Sequence, residues 1–185
     1  MQANRILLIG GGTRSGKSTF AVDLGLRLGE RRAFVATATP SDDEMKQRIL
    51  RHQQERSIHF TTFEEPIALV ARLEAIHEHD VVVVDCITHW LSNLLLRGWP
   101  TEQILGEVDR VAAALAERRF HAVLVTNEVG MSLHAPTALG RAFVDLTGWA
   151  HQRLARAADE LYFAVMGVIV PLHPVSRLPP VPEAS

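Results

Sequence analysis

"LLIGGGTRSGKST", residues Leu7 to Thr19, runs from an apolar stretch through consecutive glycines to a lysine and two hydroxyl residues. Gly11, four intervening residues and then Gly16, Lys17 and Ser18 match the pattern G-x-x-x-x-G-K-[ST]. The flanks are those the pattern needs. Arg5 to Ile9 reads as a short strand, and Ser18 to Leu28 as a helix with Phe20, Leu24 and Leu28 on one face. In such a loop the backbone amides of Gly11, Gly12, Thr13, Arg14, Ser15 and Gly16 curl around phosphates, aided by the positive end of the following helix. Lys17 reaches the β and γ oxygens, and Ser18 ligates magnesium. A tight strand-to-helix turn with no ligand is the bland alternative, which the confirming flanks disfavour. Of the 19 basic residues only Lys17 and Lys46 are lysines. A chain that otherwise uses arginine has placed a compact ammonium where a broad guanidinium fits poorly.

Working outward, strands and helices alternate. Phe34 to Thr37 is an expected strand, and Ser41 caps an expected helix running to about Arg56, with Glu44 completing a capping box. A short strand over Ile58 to Thr62, a helix over Ile67 to Ile76, and the buried strand "VVVVD" from Val81 to Asp85 follow. Helices are expected near Trp90 to Leu96 and from Pro100 to about Arg119. A strand over Ala122 to Thr126, a long helix over Leu139 to Ala158 and a last strand over Leu161 to Met166 complete the pattern. This is the pattern of an α/β protein: a mostly parallel sheet with helices on both faces, binding ligands at the carboxyl ends of its strands, as in a P-loop NTPase. Residues 1–170 are expected to form one domain. From Pro171 the sequence "PLHPVSRLPPVPEAS" reads as a Pro-rich C-terminal tail.

Composition narrows the function. A chain of 185 residues with 47% hydrophobic content can bury one core, and its formal net charge of −2 gives no basic field for nucleic acid. One cysteine, Cys86, excludes an intramolecular disulfide framework and fits a reducing compartment. No apolar stretch is long enough to span a bilayer, so a cytoplasmic protein acting on small molecules is the expectation.

Asp85 ends the "VVVVD" strand where a metal-holding carboxylate belongs, although a helix N-cap role is also open to it. "TNEVG", Thr126 to Gly130, ends the next strand, so Asn127 and Glu128 are placed to face the nucleotide or its acceptor; a plain turn fits them as well. No base-reading Asn-Lys-x-Asp sequence is present, which argues against a GTPase switch. In "SDDEMKQRILRHQQER", at about 100° per residue, Met45, Ile49, His52 and Arg56 share one stripe. His52 reads as a histidine at the core edge or as a nucleophile toward phosphorus, with Arg48 and Arg56 one turn to either side. Composition does not lift it above the other eight histidines.

Taken together, "GGTRSGKS", "VATA", "DDEM..RI..H", "DCIT..LSNLL", "TNEVG" and "HQRLARAADELYF" closely resemble the bifunctional adenosylcobinamide kinase / adenosylcobinamide-phosphate guanylyltransferase family of cobalamin biosynthesis, over about residues 5 to 170. The resemblance implies phosphorylation of adenosylcobinamide by GTP or ATP with Mg²⁺. Transfer of GMP from GTP through a guanylylated histidine would then give adenosylcobinamide-GDP. The family histidine falls on His52. Nucleotide contacts fall on the loop from Gly11 to Ser18, on Ala36, Thr37 and Ala38, on Gln53, Gln54, Glu55 and Arg56, and on Glu64 and Asp85. Ser18 and Asp85 would hold the metal. Asp85 is a departure from the glutamate that the family often has, and His151 from its usual asparagine. A homotrimer is also implied. Two rivals stay open: a small-molecule P-loop kinase without the transferase step, and a nucleotide-binding regulatory module.

Overall fold

In the computed structural model, which describes residues 4–39, 58–131 and 134–172, seven strands form one sheet. In chain order the elements are β1 (Ile6–Gly11), α1 (Lys17–Leu28), β2 (Arg32–Ala36), β3 (Thr61–Glu64), α2 (Leu69–Ala75) and β4 (Val81–Asp85). They continue with α3 (Ile87–Leu96), α4 (Thr101–Ala116), β5 (His121–Val125), α5 (Ala138–Ala157), β6 (Glu160–Val165) and β7 (Val168–Leu172). The strand order is β3-β2-β4-β5-β1-β6-β7, parallel throughout except for β7, which runs antiparallel to β6.

The period-two alternation of strand side chains divides the core. Ile6, Leu8, Val82, Val84, Ala122 and Leu124 face a large cluster with residues of α2, α3, α4 and α5. Leu7, Ile9, Val81, Val83, Val123 and Val125 face the other side, where Ala21 of α1 packs with Phe34 and Phe60. Because both faces are covered, the central strands read as unbroken apolar runs. Trp90 is fully buried in the larger cluster, and its indole N–H donates to Ile67 O at 2.8 Å. That bond satisfies the one polar atom the side chain brings into the core.

The expected α/β architecture is present, with local differences. β3 begins at Thr61, later than the expected Ile58, and α3 begins at Ile87, earlier than the expected Trp90. Cys86 supplies the reason for the early start. Its extended backbone caps α3, and its Sγ accepts from His89 N at 3.4 Å. The helix expected over Ser41 to Arg56 lies outside the described residues. β7 departs most from expectation, because it carries Pro171 and Leu172 past the expected tail boundary. It is an edge strand, where a proline costs no ladder partner on the outer side. Met166 (φ 52°) and Gly167 (φ 78°) join it to β6 in a two-residue turn, the positive φ at both positions being that of a type I′ hairpin.

Candidate nucleotide-binding site

The strand ends that meet at the carboxyl edge are set by register. Ala36 pairs with Glu64 on one side and with Asp85 on the other, and Asp85 in turn pairs with Val125. Ile9 also pairs with Val125, so the loop that leaves β1 rises beside the ends of β5 and β4.

Two glycines give the loop its path. Gly11 has φ 143° and pairs with Ala164; a Cβ there would lie 2.3 Å from Ala164 O. Gly16, at φ 97°, is the left-handed residue from which α1 starts. Arg14 also has positive φ, at 58°. Gly11→Ala should therefore force backbone apart at the root of the loop. A destabilisation of about 1–3 kcal/mol is expected from overpacking, read as a lowered Tm together with weakened nucleotide binding by titration.

Lys17 is the first residue of α1 and only 6% exposed. Its Nζ donates to Gly12 O at 2.6 Å, with Ser15 Oγ at 3.4 Å. Burial pushes its pKa down, while the nearby Asp85 carboxylate and Cys86 pull it up. The ammonium is thus preorganised inside the loop and electrostatically coupled to the end of β4. Ser18, on the next position of α1, and Asp85, at the end of β4, are both half-buried and carry oxygen donors. Oxygen-only donors of this kind suit Mg²⁺, which keeps several waters and binds through few protein ligands plus phosphates. Among the described residues there is no cluster of three His, Cys, Asp or Glu side chains that would make a dedicated metal cage.

Thr37 occupies a position expected to contact nucleotide, and its side chain is fully buried. Its hydroxyl accepts from Cys86 N at 2.8 Å and donates to Cys86 O at 2.7 Å, while its own N–H donates to Asp85 O at 3.2 Å. Asn93 Nδ2 then donates to Thr37 O at 2.8 Å and to Pro66 O at 3.1 Å. Thr37 thereby clamps the end of β2 to the Asp85-Cys86 junction and sets where the Asp85 carboxylate stands. Thr37→Val keeps the shape but leaves the Cys86 N–H unpaired, while Cys86 O keeps its bond from Trp90 N. A loss of about 1–3 kcal/mol is expected by chemical denaturation. Ala36 and Ala38 flank the clamp, and Glu64 lies exposed at the end of β3.

At the end of β5, Glu128 N donates to Gly11 O at 3.0 Å, tying this segment to the loop. Behind it runs a polar network that the sequence pattern did not reveal. Asn127 N donates to Thr88 Oγ1 at 2.7 Å, the hydroxyls of Thr88 and Thr126 are 2.9 Å apart, and Thr126 Oγ1 lies 2.6 Å from His151 Nε2. His151 Nδ1 is 3.5 Å from Glu128 Oε2, and Glu128 Oε1 accepts from Gly130 N at 2.6 Å. Burial lowers the His151 pKa against the opposing pull of Glu128. Asn127 and Glu128 were legible at a strand end, but Thr88, Thr126 and Asn93, although they lie within quoted stretches, were given no role there. His151 stood out in sequence only as a departure from a family pattern. His52 and the Gln53–Arg56 segment lie outside the described residues.

A glycine loop feeding a helix, a buried lysine at its mouth and a carboxylate on the adjacent strand edge define a P-loop nucleotide-binding protein of the α/β class. In fold the chain is similar to the RadB recombinase, with TM-score 0.51 at 18% identity, covering 87% of this chain and 74% of that one. It is likewise similar to the flagellar accessory protein FlaH from Methanocaldococcus jannaschii, with TM-score 0.50 at 12% identity, covering 91% and 76%. In sequence it is similar to the bifunctional adenosylcobalamin biosynthesis protein CobP of Pseudomonas aeruginosa, 40% identical over 166 residues that cover 89% of this chain and 95% of the relative. CobU of Escherichia coli, also described as a bifunctional adenosylcobalamin biosynthesis protein, is 35% identical over 176 residues covering 88% and 97%. Residues 7–172 match the cobinamide kinase / cobinamide phosphate guanyltransferase family, and the chain belongs to it.

Proposed function

We propose that this chain phosphorylates adenosylcobinamide and then converts the product to adenosylcobinamide-GDP, using one phosphate loop for both reactions. The observation that carries this reading is the buried Lys17 ammonium, held against Gly12 O and coupled to Asp85 within a chain of this family. In the kinase step the acceptor hydroxyl oxygen bonds to the γ-phosphorus of ATP or GTP, and the bond to the bridging oxygen breaks. The nucleoside diphosphate leaves with the electron pair, and Lys17 and the loop amides stabilise the charge that spreads over the phosphates. Ser18 and Asp85 would hold Mg²⁺, which supplies charge neutralisation at the phosphate oxygens.

In the transferase step, neutral His52 attacks the α-phosphorus of GTP and pyrophosphate departs. A phosphate oxygen of adenosylcobinamide-phosphate then attacks the same phosphorus and releases the imidazole. The loop from Gly11 to Ser18, with Ala36, Ala38, Glu64 and Gln53 to Arg56, is assigned to the nucleotide, and Thr37 to fixing its surroundings. Residues 1–170 are assigned to one catalytic unit, extended by the β7 residues Pro171 and Leu172, with the Pro-rich remainder as a tail. A cytoplasmic homotrimer is part of the same reading. Among the described residues no helix is long and apolar enough to cross a membrane, which is compatible with it.

The deciding experiment incubates the full chain with adenosylcobinamide, ATP and GTP and separates phosphorylated from guanylylated product. Both products are expected, in that order. Phosphorylated product alone would leave a kinase without the transferase step, and neither product would favour a regulatory nucleotide binder.

A further inference from the structure

The kinase step releases a proton from the acceptor hydroxyl, and the geometry at the end of β5 offers it a destination. β5 stands between β1, which carries the phosphate loop, and β4, which carries Asp85. Asp85 is already coupled to Lys17, whereas Glu128 lies in the segment that follows β5, with its backbone bonded to Gly11 O. Its carboxylate is neither lost in solvent nor sealed in the core, with the side chain 27% exposed.

The network behind Glu128 has one consistent direction. The Asn127 amide can only donate, so Thr88 Oγ1 receives that proton and has its own to pass on. At the far end a carboxylate oxygen accepts, so a ring proton of the half-buried His151 belongs on Nδ1, facing Glu128, and burial opposes a second proton on the ring. Nε2 is then an acceptor, Thr126 donates to it, and Thr88 donates to Thr126. Asn127 O, at 3.3 Å, is a second acceptor for the Thr88 hydroxyl proton. The chain ends on Glu128 Oε2, while Gly130 N fixes Oε1. The carboxylate is thus contacted at both oxygens, while the backbone of the same residue is tied to the loop.

We propose that Glu128 is the catalytic base that takes the proton of the acceptor hydroxyl, and that His151 is a positioning residue that aims it. This rests on the kinase reading above. A lone pair of the hydroxyl oxygen forms the bond to the γ-phosphorus as the bond to the bridging oxygen breaks; the proton moves to a Glu128 oxygen and the O–H pair stays on the acceptor oxygen. The protonated carboxyl group then returns it to water. Guanylylation of a neutral imidazole removes no hydroxyl proton and does not call on Glu128.

The test compares Glu128→Gln, His151→Asn and His151→Leu in the full chain. It measures kcat and KM for adenosylcobinamide phosphorylation alongside incorporation of α-labelled GMP into protein. Glutamine matches the shape of glutamate without its basicity, so kcat is expected to fall about a hundredfold or more, with KM and GMP incorporation within about threefold of wild type. Asparagine offers one donor and one acceptor in the manner of the ring and should keep kcat within about threefold. Leucine offers neither and should lower kcat about tenfold or more while GMP incorporation persists. An undiminished kinase in Glu128→Gln, or parallel loss of both activities in it, overturns the role of Glu128. Equal behaviour of the two His151 variants overturns the positioning role. Lack of kinase activity in the wild-type chain fails the underlying reading instead, and is separately visible.

Discussion

Lys17→Ala is expected to lower phosphorylation of adenosylcobinamide by about a hundredfold or more. Removing one preorganised donor from a site where transition-state charge develops typically costs about 2.7–4 kcal/mol in the barrier. Here the geometry favours the upper part of that range. The ammonium is almost fully buried and already held by Gly12 O, so little reorganisation is needed when charge grows on the phosphates. The same substitution removes the cation that interacts electrostatically with Asp85. Guanylyl transfer should fall as well if, as proposed, both reactions use one grip on the triphosphate. Initial rates of each product, with circular dichroism to verify the fold, measure the effect. A normal kinase rate in this variant would remove the loop from the reaction.

His52→Ala is expected to abolish guanylyl transfer while leaving detectable kinase activity. On the proposed mechanism the imidazole is the covalent guanylyl carrier, so its removal leaves no two-displacement route. Incubation of the wild-type chain with α-labelled GTP should give an acid-labile, base-stable protein adduct, as a phosphoramidate bond requires, and the variant should give none. Equal and complete loss of both activities would instead mean that His52 supports the fold. The contrast with Glu128→Gln is informative: one variant should lose only the second reaction, and the other only the first.

Much of this protein is legible along the chain because its signals are local. The phosphate loop is a short run whose glycines are required by backbone angles and close approach, and Gly11 and Gly16 adopt positive φ. "VVVVD" is a buried strand because covered sheet faces demand apolar side chains on both sides, and Asp85 stands at its end. The boundaries were less legible. α3 starts early because Cys86, a residue with no strong capping preference, takes the cap. β7 was hidden because its turn is made by Met166 and Gly167 rather than by an Asn-Gly pair, and because Pro171 disguises an edge strand.

The candidate site divides along the same line. Lys17, Ser18 and Asp85 could be named from spacing alone, since each follows or ends a recognisable element. Thr37 could be named only as a nucleotide contact. That it clamps Cys86 depends on β2 lying next to β4, which joins residues separated by 49 positions. The ordered bonds among Thr88, Thr126, His151 and Glu128 likewise appear only when α3 and α5 pack over the end of β5, bringing His151 against Thr126 across 25 positions. Periodicity and loop spacing, which act over a few residues, determined the class of fold and the grip on phosphate. Strand order and helix packing, which act between distant segments, decided how each carboxylate is held.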